Sequence, residues 1–156
     1  MGQTHYRPWS AQRIGSKIND MMHSPEPQRL LNARQFFLSF SVTPPPDESV
    51  RLLSPNIVFT VPGNHRLSGM FHGPDEVGSH IAMLVDYSKG TFEVLNWLDW
   101  MMGETHMSVL QYAQAQNNGR IYRGHHLYLL ESDSDDLLSD IKIFFEDQAA
   151  ADRFFT

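Results

Sequence analysis

The segment MSVLQYAQAQNNGRIYRGHHLYLL, Met107–Leu130, is the most informative part of the chain because it reads as two strands joined by a tight turn. Met107–Gln116 and Arg120–Leu130 have the residue types and the two-residue period that are typical of strands. The turn sequence Asn117-Asn118-Gly119 lies between them, and so short a connection makes the two strands antiparallel neighbours. We therefore predict a β-hairpin within an antiparallel sheet.

One further strand is predicted on each side of this hairpin. Thr91–Met102 precedes it, joined by Gly103-Glu104-Thr105, and Leu138–Phe145 follows the acidic run Glu131–Asp136. Connections of this length again favour antiparallel pairing. The second half of the chain is thus predicted to form a four-stranded meander.

The first half of the chain has mainly helical spacing. Gln28–Ser41 is predicted to be a helix of about four turns, and Gly73-Pro74-Asp75-Glu76 starts a second helix that ends at Gly90. The other predicted elements are a short helix from Asp47 to Leu53, strands at Ile57–Val61 and Arg66–Phe71, and a last helix Gln148–Phe155 capped by Asp147. Helices followed by a meander are an α+β pattern.

The length of the chain fits one domain. We predict an N-terminal arm at residues 1–24, in which Ala11–Met22 has the spacing of a short amphipathic helix, and one domain at residues 25–156. No internal repeat or linker divides this second range.

Composition narrows the classes of partner. A net charge of −6 with scattered arginines argues against binding to nucleic acid. The absence of cysteine excludes disulfides, thiolate metal sites and cysteine nucleophiles. No apolar run has the length of a membrane span, and Met1–Ser10 lacks the apolar core of a signal peptide, so we expect a cytoplasmic protein with no membrane partner.

Three stretches, taken in order, resemble the SnoaL-like and ketosteroid-isomerase-like proteins, small cone-shaped domains of the nuclear transport factor 2-like superfamily. They are Val61–Gly63 with Leu67–Gly69 and Phe71–Val77, then Gly90–Leu110, then His126–Leu129 with Ile141–Phe145 and Asp147–Phe155. The resemblance implies a curved antiparallel sheet wrapped around the N-terminal helices and an internal pocket for a small-molecule ligand. It also implies a homodimer formed through the sheet.

The catalytic groups of a ketosteroid isomerase are absent from the matching positions. By similarity, its carboxylate base would fall just before Pro62, where this chain has Val61. Its tyrosine would fall near Gln35–Phe37, and its protonated acid at or near His126. The steroid-isomerase mechanism is therefore not expected, although a similar pocket can serve another function.

His126 is the first catalytic candidate. The resemblance turns its face of the strand inward together with Tyr128, and an imidazole can accept or donate a proton near neutral pH. The alternative is a core histidine bonded to a neighbouring strand or to water. His125 points to the opposite face, so the two histidines cannot bind one metal ion.

Three more residues are catalytic candidates. His80 lies at the edge of the apolar stripe of the second helix, at a position that faces the cavity in relatives, or alternatively it lies on the wet helix surface. Asp99, between Trp97 and Trp100, would have a raised pKa against indole rings, or would point to solvent from the convex face. Alternation does not decide between the two, because a bulge can occur within Trp97–Trp100. Tyr128 could donate a hydrogen bond to an oxyanion or simply pack in the core.

The candidate ligand contacts are mainly apolar. Aromatic side chains could form a wall for a flat substrate, or fill the core instead. The predicted ligand-binding residues are Phe37, Phe59, Val61, His65, Trp97, Trp100, Gln111 and Phe145.

Together these candidates favour a cofactor-free acid–base enzyme, a cyclase or an isomerase, acting on a small apolar substrate of polycyclic or polyketide type. The alternatives are a dehydratase of the same fold, a non-catalytic small-molecule binding domain, and an interaction module with a closed pocket. We expect neither a cofactor nor a metal, because zinc-type spacing and a glycine-rich phosphate loop are missing from the sequence.

Overall fold

A computed structural model of the protein describes residues 26–39 and 47–156. The predicted arm at residues 1–24, including Ala11–Met22, lies outside the described residues. The elements are α1 (Gln28–Ser39), a 3-10 helix (Asp47–Leu52), β1 (Leu53–Val61), β2 (Gly69–His72), α2 (Gly73–Tyr87), β3 (Glu93–Met102), β4 (His106–Asn117), β5 (Arg120–Ser132), β6 (Leu138–Phe145) and α3 (Gln148–Phe154). None of the helices in the described ranges has the length and apolar character of a membrane span.

The strands form one six-stranded sheet in the order β2-β1-β6-β5-β4-β3. Neighbouring strands are antiparallel except for β1 and β6, which run parallel. The predicted antiparallel sheet is thus mixed at this one pair, because a long crossover through α2 and the meander leads from β1 to β6. The predicted α+β class, a curved sheet wrapped around helices, is confirmed.

The β4–β5 hairpin is confirmed, and its register is unbroken. His106 pairs with Glu131 at the open end, and Asn117 pairs with Arg120 at the turn. The two turn residues have positive φ, 49° at Asn118 and 79° at Gly119, which suits a two-residue hairpin turn. Since side chains alternate between the faces of a strand, this register fixes which residues of both strands face the helices.

The concave side of the sheet packs against α1 and α2. Ala33 and Phe37 of α1 and Val77 of α2 are buried together with Val109 of β4 and Leu130 of β5. A second buried cluster forms where α3 covers the sheet, and its members are Leu67, Tyr87, Ala115, Tyr122, Ala151, Phe154 and Phe155. The partly buried ring of Phe145 packs against both clusters.

The first strand begins at Leu53 instead of the predicted Ile57, and the second strand also differs from its predicted range. It was expected at Arg66–Phe71 but spans Gly69–His72. The preceding residues form a turn instead, in which the Ser68 amide and hydroxyl donate to the His65 carbonyl at 3.0 and 2.6 Å. The predicted cap of the last helix is confirmed, since the Asp147 carboxylate accepts from the Ala150 amide at 2.9 Å.

Gly63 allows the turn after β1 to approach α3 closely, because it has no side chain. Its φ is 111°, and a Cβ at this position would collide with Asp152 Oδ1 and Gln148 Nε2. Those side chains bond to each other at 2.9 Å, Asp152 accepts from the Asn64 amide at 3.1 Å, and Gln148 donates to the Pro62 carbonyl at 3.3 Å. The contact between the turn and α3 therefore requires a residue without a side chain.

We expect Gly63→Ala to lower the free energy of unfolding by about 2 kcal/mol, because it strains φ and displaces two hydrogen-bonded side chains. Gly78→Ala is the matched control. Gly78 lies within α2 with nothing within 4 Å of an added Cβ, so this substitution should raise the unfolding free energy by up to about 1 kcal/mol. Urea denaturation measures both changes, and equal stability of the two variants would contradict the role of Gly63.

Candidate functional site

An internal cavity lies between the concave face of the sheet and the helices. The space between its walls is about 670 Å³ including the open mouth. Water-sized molecules can enter about 60 Å³ of this space. The lining consists of Phe36, Phe37, Phe59, Val61, His65, Leu67, His80, Ile81, Leu84, Phe92, Gln111, His126, Tyr128, Ile141, Ile143, Phe145 and Phe155. Within residues 26–39 and 47–156, no cluster of His, Asp and Glu has an arrangement that could hold a metal ion.

Most of the predicted site residues meet at this cavity. They are His65, His80, Gln111, His126, Tyr128, Phe37, Phe59, Val61 and Phe145. They come from two helices, four strands and one turn, so the site exists only in the folded domain. The structure brings these residues together, and their roles toward a ligand stay predictions.

His126 is 2% exposed and is bonded at both ring nitrogens. Gln111 Nε2 lies 3.3 Å from Nδ1, and the Tyr122 hydroxyl lies 2.9 Å from Nε2. Because an amide nitrogen only donates, Nδ1 is the acceptor and Nε2 carries the proton that is donated to Tyr122. Gln111 Nε2 also donates to the Tyr128 hydroxyl at 3.3 Å, so the four side chains form one hydrogen-bonded cluster.

Burial keeps this cluster uncharged. Loss of hydration, and to a smaller degree the charge of His125, lowers the pKa of His126 to about 3. Burial likewise raises the pKa of the Tyr122 and Tyr128 hydroxyls. At neutral pH the cluster therefore acts through hydrogen bonds and not through charge.

Tyr122 is the member of the cluster that is not among the predicted site residues. It lies behind the cavity lining, with its ring stacked on that of His126 at a centroid distance of 5.7 Å. A Cβ on Gly124 would lie 2.8 Å from the Tyr122 hydroxyl, so the glycine leaves room for it. Alternation places Tyr122, Gly124 and His126 on one face of β5, and a glycine between two polar rings is the signal that could have identified the contact.

His80 is enclosed in the cavity wall and does not lie on a wet helix surface. It is 5% exposed, and its Nδ1 has no hydrogen-bond partner. Its ring packs on Phe59 and Phe71 with centroid distances of 5.1 and 4.3 Å. Burial, and secondarily the charge of His65, lowers the pKa of His80 to about 4, so the ring is neutral at pH 7.

His65 presents a second unpaired nitrogen. Its Nδ1 accepts from the Leu67 amide at 3.2 Å, so Nε2 carries the proton. Nε2 is buried without a hydrogen-bond partner, since Asp152 Oδ1 lies 3.9 Å away. Burial lowers the pKa of His65, and the Asp152 carboxylate and the nearby Pro62 carbonyl offset part of that effect.

The structure does not bring Trp97, Asp99 and Trp100 into the cavity lining. A register shift between Trp97 and Asp99 marks a bulge in β3, and the two indole rings consequently stack on each other at 5.8 Å. Both rings meet Phe37 edge-on, which supports the cavity wall from behind. Asp99 itself is exposed, which agrees with the alternative that its carboxylate points to solvent.

Comparison with known proteins addresses the fold. No family model and no curated protein matches the sequence. Among solved structures, a protein of unknown function with a cystatin-like fold from Xanthomonas campestris is 23% identical with a TM-score of 0.74, covering 81% of this chain and 97% of that chain. TerC co-crystallised with polyporic acid is 11% identical with a TM-score of 0.67, covering 81% and 97%. Rv0760c from Mycobacterium tuberculosis in complex with estradiol-17β-hemisuccinate is 10% identical with a TM-score of 0.62, covering 74% and 92%.

Further matching structures are described as NTF2-like proteins, among them one from Anabaena variabilis and one from Burkholderia xenovorans. The chain therefore has the nuclear transport factor 2-like fold, which confirms the fold that the sequence resemblance implied. At these identities the likeness concerns the fold alone, and function has to be argued from the site.

We expect the protein to lose stability as the pH falls below about 6.5. His80 and His126 have pKa values of about 4 and about 3 in the folded chain, against a reference value of 6.5. At a pH between its folded and unfolded pKa values, each of these rings binds a proton in the unfolded chain but not in the folded chain. The free energy of unfolding should thus fall by up to about 1.4 kcal/mol per pH unit for each histidine.

Urea denaturation between about pH 7.5 and 5 measures this slope. In His80→Leu the slope of the unfolding free energy against pH should decrease by about 1.4 kcal/mol per pH unit, the contribution of one proton, whatever the change in absolute stability. A slope that is the same in His80→Leu and in the unmodified chain would show that His80 does not stay neutral on folding.

Proposed function

We propose that the chain binds a small, mainly apolar organic molecule in the cavity, and that hydrogen bonds from buried imidazoles orient this molecule. The observation that carries the proposal is that His80 Nδ1 and His65 Nε2 are buried without hydrogen-bond partners in side chains that line the cavity. An unsatisfied buried polar group costs about 1–3 kcal/mol. A ligand with oxygen or hydroxyl groups would supply the missing partners.

The charge of the lining supports an uncharged ligand. The described side chains around the cavity include no Asp, Glu, Lys or Arg, and burial keeps His80 and His126 neutral at pH 7. An isolated charge placed in such surroundings loses its hydration without gaining a counter-ion. Any charged group of the ligand would therefore stay at the mouth.

The free space supports a ligand that is partly enclosed. Pockets for organic ligands commonly measure 300–1,000 Å³, whereas water-sized molecules can enter only about 60 Å³ of this cavity. A polycyclic or polyketide-type molecule would therefore extend through the mouth or displace side chains of the lining.

Two proteins of the same fold support a ligand built from rings. TerC was co-crystallised with polyporic acid, and Rv0760c was solved with estradiol-17β-hemisuccinate. Both compounds combine rings with oxygen substituents. The cavity of this chain offers matching chemistry, because aromatic walls surround the free nitrogens of His65 and His80.

Acid–base catalysis is the second candidate function, and the unpaired nitrogen of His80 favours it. His80 would take a proton next to a carbonyl, and Tyr128, whose oxygen accepts from Gln111, would donate its own proton toward the carbonyl oxygen. His126 is bonded at both nitrogens and would position Gln111. This first step is shared by a cofactor-free isomerase and a cyclase, with a dehydratase as the alternative.

Homodimerisation through the sheet stays a prediction from the resemblance. The outer face of the sheet offers apolar contacts, since the paired residues Leu127 and Phe144 are 37% and 50% exposed. A contiguous exposed apolar patch is typical of association surfaces.

Binding is testable with estradiol-17β-hemisuccinate as the probe. Saturating probe should shift the imidazole nitrogen signals of His65 and His80 in NMR spectra, and His80→Leu should weaken binding about tenfold through the loss of one hydrogen bond. His72→Leu, which changes an exposed histidine of β2, is the matched control and should leave the affinity unchanged. The proposal is wrong if neither this probe nor polyporic acid binds saturably.

Catalysis is testable with 3-cyclohexen-1-one, a small ketone whose double bond moves into conjugation when a proton is transferred. Proton NMR in D₂O should show faster isomerisation with the protein than in buffer. His80→Gln keeps a polar side chain but removes the base, and we expect it to lower kcat/KM at least about tenfold. Equal rates with and without the unmodified protein would exclude this activity and leave binding as the function.

A further inference from the structure

β5 is longer than the strand beside it. It begins at Arg120, whereas its pairing with β6 begins only at His126, opposite Phe145. Beyond that point the chain leaves the sheet, and α3 starts at Gln148. Residues 120–124 of β5 therefore pair with β4 on one side and have no strand on the other.

The backbone of this segment is directed toward the open side. The His125 carbonyl accepts from the Glu146 amide at 3.0 Å, so the backbone groups of His125 point away from β4. Because the β4–β5 register is unbroken, those of Arg123 and Ile121 point the same way. No backbone group of the described residues bonds to them, which leaves an edge that can accept another strand.

A groove that is open to solvent runs between this edge and α3, and water-sized molecules can enter about 260 Å³ of it. Its lining consists of Arg120, Ile121, Tyr122 and Arg123 from β5 and of Ala150, Arg153 and Phe154 from the last helix. Ile121 is 60% exposed, so a large apolar side chain lies in water next to the open edge. The groove thus combines free backbone groups with apolar surface.

Three arginines line the groove in a chain whose net charge is −6, and the carboxylates of Glu146 and Asp147 also act on the Tyr122 hydroxyl of the lining. Arg120 donates to the Arg153 carbonyl at 3.0 Å and to the Tyr87 hydroxyl at 2.8 Å, and Arg123 donates to Gln114 Oε1 at 3.2 Å. These acceptors are neutral. Among the described residues, no ion pair includes Arg120, Arg123 or Arg153, so three positive charges lack a negative partner.

We propose that this groove binds an acidic segment of a partner protein in extended conformation, which adds as a strand to residues 120–124 of β5. Backbone pairing would supply much of the affinity, and acidic side chains at alternate positions would meet the arginines. The alternation of backbone donors and acceptors along an edge selects a peptide over a free anion. Charge complementarity selects an acidic peptide over a neutral one.

The test uses the full chain and a fluorescein-labelled octapeptide that alternates threonine and glutamate, followed by fluorescence anisotropy at low ionic strength. We expect saturable binding that weakens as salt is added. Arg123→Glu and Arg153→Glu should each weaken binding at least tenfold. Arg51→Glu makes the same charge change at an exposed site on the 3-10 helix and should leave binding unchanged.

A second peptide separates strand addition from simple charge attraction. The same octapeptide N-methylated at alternate amides keeps its charge but cannot pair along one edge, and it should bind at least tenfold more weakly. Equal binding of the methylated peptide would overturn strand addition. Equal binding of a threonine–lysine peptide would overturn the acidic specificity. Dimers in light scattering that Arg153→Glu dissolves would assign the edge to a second copy of this chain instead.

Discussion

The unbroken pairing of β4 with β5 is the constraint on which the site depends. From His106↔Glu131 to Asn117↔Arg120 no residue is inserted, so Gln111 and His126 face each other and point inward together. A slip of one residue would turn every side chain of a strand to its other face. Tyr112 would then replace Gln111, or His125 would replace His126, in the cavity wall; Tyr112 and His125 now contact each other outside the cavity at 4.8 Å. The two-residue turn at Asn118 and Gly119, with positive φ at both positions, fixes this register, because its length sets which residues pair.

Prediction from the sequence succeeded where the pattern is local and regular, and it failed where the backbone departs from regularity. The β4–β5 hairpin follows from alternation and turn chemistry, so Gln111, His126 and Tyr128 could be assigned to one face in advance. β3 has register shifts at Val94/Asn96 and at Trp97/Asp99, and each shift changes the face on which the following residues lie. Asp99 was therefore not assignable from alternation. Two other features depend on contacts between residues that are far apart in the sequence, for which no local pattern exists. They are the parallel pairing of β1 with β6 and the position of Phe155 in the cavity lining.

The neutrality of the buried histidines shapes what the cavity can do. In the free protein, loss of hydration lowers the pKa of His80 to about 4, which makes it a good hydrogen-bonding group and a weak base at pH 7. A ligand that develops negative charge on an oxygen would favour the protonated imidazole and raise the pKa of His80 again. Such a site would stabilise a transition state with an oxyanion more than a neutral ground state, which is the condition for catalysis. The difference between a binding domain and an enzyme therefore depends on the electronic character of the ligand as much as on the protein.

The early end of β6 links the cavity with the open edge of the sheet. Because β6 stops at Phe145 and α3 follows after a short turn, Phe154 and Phe155 close the base of the cone while residues 120–124 of β5 stay unpaired. Tyr122 lies where the two regions meet, with its ring stacked on Phe154 at 5.5 Å and on His126 at 5.7 Å. A strand added at the edge would pack beside the ring of Tyr122, whose hydroxyl accepts a hydrogen bond from His126 Nε2. Any influence of a partner on the cavity would consequently pass through the position of the Tyr122 hydroxyl, for which Gly124 leaves the space.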